Sequence, residues 1–111
     1  MSEDSGELLA TQRAAFLAVS QASIDATLDA AAIQREPPSP ERNERFLAVL
    51  HRMVALQTQT LAAHDAVVRR AEELGVDPQV VAEFGEGRAA LDLQLQHAAT
   101  HARRLEADGL G

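Results

Sequence analysis

The amino-acid sequence predicts an all-α protein in which three long helices form an antiparallel bundle with coiled-coil-like packing. Hydrophobic residues make up 46% of the 111 residues, yet aromatic residues make up only 3%, and Trp and Tyr are absent. The apolar residues are chiefly Ala, Leu and Val, which are typical of close-packed helices rather than sheets. The length suits one domain covering residues 1–111.

The first helix is predicted to run from about Glu7 to about Gln34, with Ser5 as its N-cap. It ends before a proline-rich linker at residues 35–40, because consecutive prolines cannot continue a helix. Ser39 is then a suitable N-cap for the second helix, with Pro40 at the first helical position.

The second helix carries the clearest periodic pattern in the chain, in which steps of four and three residues alternate. The positions are Phe46, Leu50, Met53, Gln57, Thr60, His64, Val67, Ala71 and Leu74. This spacing predicts a buried stripe and shallow crossing angles. Gly75 suits a left-handed residue after the helix, and a tight turn at residues 75–78 leads to Asp77 as the next N-cap.

The third helix continues the same spacing. Its stripe consists of Val81, Phe84, Arg88, Leu91, Leu95, Ala98, Ala102 and Leu105. Gly85 and Gly87 interrupt the helix early, and each costs about 1 kcal/mol relative to Ala. A kink or break is therefore expected between Gly85 and Gly87.

The first helix differs from the others because it carries two apolar faces. One face contains Leu8, Phe16, Val19, Ala26 and Ala30, and the other contains Leu17, Ile24, Leu28 and Ala31. A small three-helix bundle needs only one such stripe on each helix, so the second face predicts packing against another chain. We therefore expect a homodimer formed through the first helix.

Charge and composition disfavour several classes of function. The net charge is −7, and an acidic surface repels phosphate backbones and anionic lipids, so we expect neither nucleic acid nor a membrane as partner. The absence of cysteine excludes disulfides and thiolate sites. The acidic start differs from a signal peptide, and no apolar run of about 18 residues is apparent, so a cytoplasmic location is expected. Residues 1–6 are expected to be flexible.

A polar interruption in the second helix is the most unusual local feature. Gln57, Thr60 and His64 occupy positions where Leu or Val would be expected, and in an antiparallel arrangement Gln94 and Gln96 lie at about the level of Gln57. Buried polar groups cost free energy unless they are hydrogen-bonded. One interpretation is an internal network that fixes helix register; the other is a polar ligand pocket in which His64 titrates.

The histidines offer a weak candidate for a metal site. His97 and His101 are four residues apart on one helical face, and His51 lies near their level if the helices are antiparallel. The pair lies away from the apolar arc of its helix, so solvated histidines are the simpler interpretation. The sequence predicts no cofactor.

Residues 70–84, RAEELGVDPQVVAEF, resemble the helix-turn-helix of bacterial repressors. The resemblance is carried by Ala71, Gly75, Val76, Val81 and Phe84, which stand where such motifs have a small residue, the turn glycine and packing apolar residues. It implies a recognition helix that begins near Pro78, with Gln79 facing bases and Arg88 as a further contact.

These observations favour a non-enzymatic interaction or structural module that self-associates and whose further protein partner is unknown. A DNA-binding regulator and a bundle that binds a small molecule or a metal remain as alternatives.

Overall fold

A computed structural model describes the backbone of residues 2–108 and the side chains of residues 7–108. The chain is 88% helical, and residues 2–108 contain no strand. The helices are α1 (Ser2–Gln34), α2 (Pro40–Glu73), α3 (Pro78–Gly85) and α4 (Arg88–Ala107). Together α3 and α4 form the third arm of an antiparallel bundle, so the predicted fold class is confirmed.

Helix α2 lies at the centre of the bundle. Its predicted stripe is buried at every position from Phe46 to Ala71, and only Leu74, at the helix end, is half-buried. Around Phe46, Leu50 and Met53, this stripe packs against small residues of the neighbouring helices: Ala26 and Ala30 of α1, and Ala98 and Ala102 of α4. The short alanine side chains let both neighbours approach α2 closely.

The helix ends of α2 follow the predicted capping residues. The Ser39 Oγ accepts a hydrogen bond from the Arg42 N–H at 3.0 Å, with Pro40 at the first helical position. At the other end Gly75 has a φ of +72°, and the Val76 N–H donates to the Ala71 carbonyl at 3.0 Å. Asp77 Oδ1 then accepts from the Gln79 N–H at 2.9 Å and begins α3.

The third arm is interrupted where the glycines predicted it. Helix α3 ends at Gly85, α4 begins at Arg88, and the two axes differ by 18°. The break is small because the Gly87 N–H still donates to the Phe84 carbonyl at 3.4 Å, which keeps a turn of tighter helix between the two segments.

The start of α1 differs from the prediction. The helix begins at Ser2, so Ser5 lies inside it and the prediction that Ser5 is the N-cap was wrong. The prediction that residues 1–6 are flexible concerns Met1 and the side chains of residues 2–6, which lie outside the described part of the structure.

Helices α1 and α4 both pack on α2 but hardly meet each other. Helix α2 packs extensively against both, whereas the described parts of α1 and α4 make almost no mutual contact, and α1 reaches the third arm through Phe16 and Phe84 of α3. The molecule is an elongated body of 57 × 20 × 18 Å because α1 and α2 are helices of 33 and 34 residues, and a groove lies between α1 and α4.

The two glycines at helix ends allow a direct test of this fold. Gly75→Ala should lower the free energy of unfolding by about 1 kcal/mol, because an L-residue is strained at positive φ although space for a Cβ is free. Gly85→Ala is the matched control, since it is helical and equally uncrowded. It should raise stability by up to about 1 kcal/mol. Urea unfolding followed by circular dichroism measures both, and equal effects of the two variants would contradict the assignment of the turn.

Candidate binding groove

A groove with a volume of about 470 Å³ lies between α1 and α4. Its floor is the α2 stripe, namely Phe46, Leu50, Met53 and Gln57. One wall is the second half of α1, from Ser23 to Gln34, and the other is α4 from Gln94 to His101. The floor positions are spaced by three and four residues because they belong to the buried stripe of α2.

Gln57 is the polar group at one end of this floor. Only 4% of the residue is exposed, and its side-chain Oε1 has no hydrogen-bond partner among the described residues. Gln94 lines the same groove, whereas Gln96 does not line it and donates to Asp92 within α4. A buried amide oxygen without a donor destabilises the fold by about 1–3 kcal/mol. In the isolated chain, Gln57 Oε1 is such a hydrogen-bond acceptor.

Large apolar side chains flank the open side of the groove on both outer helices. On α1 the exposed fractions are 61% for Leu17, 50% for Ile24 and 63% for Leu28. On α4, Leu93 is 52% exposed and lies one turn before His97 on the same side of the helix. Sequence analysis identified the α1 face but not Leu93, because Leu93 lies outside the periodic stripe of its own helix.

The predicted polar layer is divided between two environments. Gln57 faces the groove, whereas the Thr60 Oγ1 donates to the Leu56 carbonyl of its own helix at 2.8 Å. His64 is 2% exposed and its Nε2 lies 2.9 Å from the Phe84 carbonyl oxygen, so this nitrogen is assigned as the donor. Thr60 and His64 do not line the groove.

His64 belongs to an aromatic cluster formed with Phe16 and Phe84, which joins α1, α2 and α3. The His64 and Phe84 rings stack with centroids 4.5 Å apart, and Phe16 meets both rings edge-on at 5.7 and 5.4 Å. The sequence pattern predicts these residues in separate stripes on three helices. They meet because packing of the helices brings them to the same level along the bundle. This packing leaves His64 enclosed rather than accessible to a ligand.

The other histidines do not converge. His51 Nε2 lies 2.6 Å from Glu106 Oε1, His101 packs against the Phe46 ring at 5.1 Å, and His97 lines the groove. Within residues 7–108, no group of three or more His, Asp or Glu side chains is placed to hold a metal ion.

An ion pair links α2 to the start of α4. The Arg88 Nε donates to Asp65 Oδ1 at 3.0 Å. Asp92 accepts a hydrogen bond from Gln96 Nε2 at 2.8 Å. The hydrogen bond from Arg88 holds the pKa of the Asp65 carboxyl below its ordinary value, and burial opposes this effect.

The residues that resemble a helix-turn-helix are placed as follows. Gln79 is exposed in the first turn of α3, and Arg88 lies after the break and is held by Asp65. Helix α3 is eight residues long and carries the acidic residue Glu83, followed by Glu86 at its end. The described side chains of α3 therefore include no cation that could contact phosphate.

Helix α1 is more apolar than its scattered leucines suggested. Within Glu7–Gln34, an 18-residue window reaches a mean hydropathy of 1.2. By length and composition alone, this helix is long and apolar enough to cross a membrane. The sequence expectation underestimated this segment because alanine contributes much of its hydropathy. The same test is passed by core helices of soluble proteins, and the helix also carries Asp25 and Asp29.

Comparison of the chain with protein-family models, curated proteins and solved structures finds no match.

Replacement of Gln57 tests whether its buried side-chain oxygen lacks a hydrogen-bond partner in the folded protein. Gln57→Leu should raise the free energy of unfolding of the purified protein by about 1 kcal/mol, because an unpaired buried oxygen is removed. Thr60→Val is the control: its hydroxyl has a partner, so no gain is expected. A loss of stability in Gln57→Leu, measured by urea unfolding, would contradict the absence of a partner at this oxygen.

The Asp65–Arg88 pair predicts a specific dependence of stability on pH. Because the folded pKa of Asp65 is lowered, its carboxylate stabilises the fold above the ordinary unfolded pKa of about 3.9. This contribution is lost as the pH falls through the lower folded pKa. Asp65→Asn should thus unfold at lower urea concentration than the wild type at pH 7, and the difference should shrink in acid.

The matched control for this prediction is Glu83→Gln, which changes an exposed carboxylate on α3. Glu83→Gln should change the stability only slightly, and its difference in stability from the wild type should not shrink in acid. An Asp65→Asn difference that stays constant between neutral and acid pH would contradict the proposed role of the ion pair.

Proposed function

We propose that this chain is a non-enzymatic helical interaction module that self-associates through the exposed face of α1 and the adjoining groove. The observation that carries the proposal is the exposure of Leu17, Ile24 and Leu28, which are at least half exposed on one face of α1. Ile24 and Leu28 also line the open groove. Monomeric soluble proteins rarely leave so contiguous an apolar patch uncovered.

The exposed area of the chain supports the same conclusion. It exposes 7135 Å², whereas a compact monomer of 11.9 kDa exposes roughly 5,950 Å². The excess of about 1,200 Å² is more than the roughly 800 Å² that each partner buries in a standard protein interface. Elongation contributes to this excess, because α1 and α2 are helices of 33 and 34 residues in a body only 20 × 18 Å across.

Charge on the α1 face is compatible with self-association despite the net charge of −7. The face carries Arg13 and Asp25 at its edges and Arg35 just after the helix, while the acidic side chain of Asp29 points to α2 and meets Arg52 at 2.5 Å. Two such faces can therefore meet without opposing clusters of carboxylates.

Substitution of the apolar face tests the proposal. The wild type should be a dimer in sedimentation and native mass spectrometry, and Leu17→Glu combined with Leu28→Glu should weaken dimerisation at least about 100-fold. The reason is that each buried leucine contributes about 1.5–3 kcal/mol, and a buried unpaired carboxylate adds a further cost.

The matched control is Leu8→Glu, because Leu8 is also exposed on α1 but lies on the opposite side of the helix. It should leave the dimer intact, and all variants should keep the helical circular dichroism of the wild type. A monomeric wild type, or one that associates with phosphatidylcholine–phosphatidylglycerol vesicles only, would overturn the proposal and identify α1 as a membrane-binding helix instead.

A second candidate function is the binding of a small molecule in the same groove, favoured by the unpaired Oε1 of Gln57. The groove volume of about 470 Å³ falls within the range of small-molecule sites. Native mass spectrometry of untagged protein purified without chelators separates the two. A reproducible extra mass that is lost in Gln57→Leu supports a ligand site, and a bare dimer supports the interaction module.

DNA binding has less support than either of these functions. It would require a cationic surface built by dimerisation, because Arg88 is engaged by Asp65 and α3 carries Glu83. A gel shift on DNA fragments at low salt tests it, and absence of binding would remove this alternative.

A further inference from the structure

The exposed face of α1 is a complete heptad stripe. Eight positions separated by alternating steps of four and three residues share this face: Ala10, Ala14, Leu17, Gln21, Ile24, Leu28, Ala31 and Arg35. All are exposed except Ala31, which is half-buried, and Arg35 lies directly after the helix end. This spacing is what two helices need to pack along their length, and the stripe is separate from the one that α1 buries against α2.

We propose that a second copy of this chain covers the stripe with its own α1 in antiparallel orientation, so that Leu17 packs against the partner's Leu28. This inference rests on the proposed self-association and adds its orientation and register. In the same register Gln21 faces the partner's Ile24 and Ala14 faces the partner's Ala31. The largest side chains thus form two leucine layers on either side of the two-fold axis.

Charge distinguishes the antiparallel from the parallel orientation. In a parallel pair Arg35 would face the partner's Arg35 across the axis, and like charges in direct opposition are destabilising. In the antiparallel pair Arg35 faces the partner's Ala10, one turn from the partner's Glu7, which is an exposed carboxylate. The antiparallel pair also sets the dipoles of the two α1 helices in opposition.

The arrangement places the partner helix beside the groove. Ile24, Leu28 and Ala31 belong both to the stripe and to the wall of the groove. The partner's Leu17, Gln21 and Ala14 are opposite these three residues in the proposed register. The partner's α1 therefore covers the apolar rim that the isolated chain leaves exposed.

Cysteine cross-linking tests orientation directly, because the natural chain has no cysteine. Leu17→Cys protein and ¹⁵N-labelled Leu28→Cys protein are prepared separately, mixed, allowed to exchange, and treated with a short bismaleimide. The expected product is a cross-linked dimer of intermediate mass, at least about tenfold more abundant than the dimer from either variant alone. In the antiparallel pair the two copies of position 17 lie about 16 Å apart along the helix axis, because eleven residues of helix separate positions 17 and 28. The same distance separates the two copies of position 28, so either variant alone should give little cross-linked dimer.

Each other outcome has a distinct meaning. Efficient cross-linking of Leu17→Cys alone would show a parallel pair and overturn the inference while leaving self-association intact. A dimer by native mass without any cross-link at these sites would place the interface elsewhere and overturn the inference. A wild-type monomer would overturn the inference together with the proposed function. Leu8→Cys is the control site outside the stripe and should not cross-link.

Charge exchange provides a second measurement that does not depend on cysteine. Arg35→Glu should raise the dimer dissociation constant about two- to fivefold, as expected for an exposed pair, and Glu7→Arg in the same chain should restore it. A parallel pair predicts no rescue, because position 35 would still face an identical charge. Absence of rescue in a protein that remains dimeric would therefore overturn the antiparallel register.

Discussion

Burial of the stripe on α2 is the constraint on which the rest of the structure depends. It is the only helix with extensive packing against both outer arms, so its positions from Phe46 to Ala71 supply the core for the whole described chain. The neighbours contribute mainly alanines to this contact, which allows close approach but adds little apolar volume. Such a core packs α1 and α4 on α2 with almost no contact between α1 and α4 themselves. The groove between these two helices is the direct consequence.

The two ends of the bundle are fixed by different aromatic contacts. Near the end of α2 the stacked His64 and Phe84 rings and the edge of Phe16 join three helices, while Phe46 and His101 join two helices at the other end. Between these ends lies Gln57, whose buried oxygen lacks a partner. The polar interruption of α2 thus lies in two environments: His64 is enclosed by aromatic rings and hydrogen-bonds the Phe84 carbonyl through Nε2, and Gln57 faces the open groove.

The open architecture is compatible with both proposed functions, self-association and ligand binding, which predict different properties. The proposed association would use the apolar stripe of α1, which is close to neutral although the chain as a whole is acidic. Ligand binding would use the unpaired amide on the groove floor. Because the stripe and the groove share Ile24 and Leu28, occupation of one alters access to the other, and the two functions compete unless the partner's helix leaves the floor free.

The sequence by itself determined the helices, the caps at Ser39 and Asp77, the left-handed Gly75 and the break after Gly85. These features depend on local backbone preferences, which act within a few residues. It also determined which face of α2 is buried, since periodicity reports burial directly. Only the tertiary structure decided that Arg88 pairs with Asp65, that His64 stacks on Phe84, and that α1 and α4 stand apart. Those outcomes depend on the relative level and spacing of different helices, which no local pattern encodes.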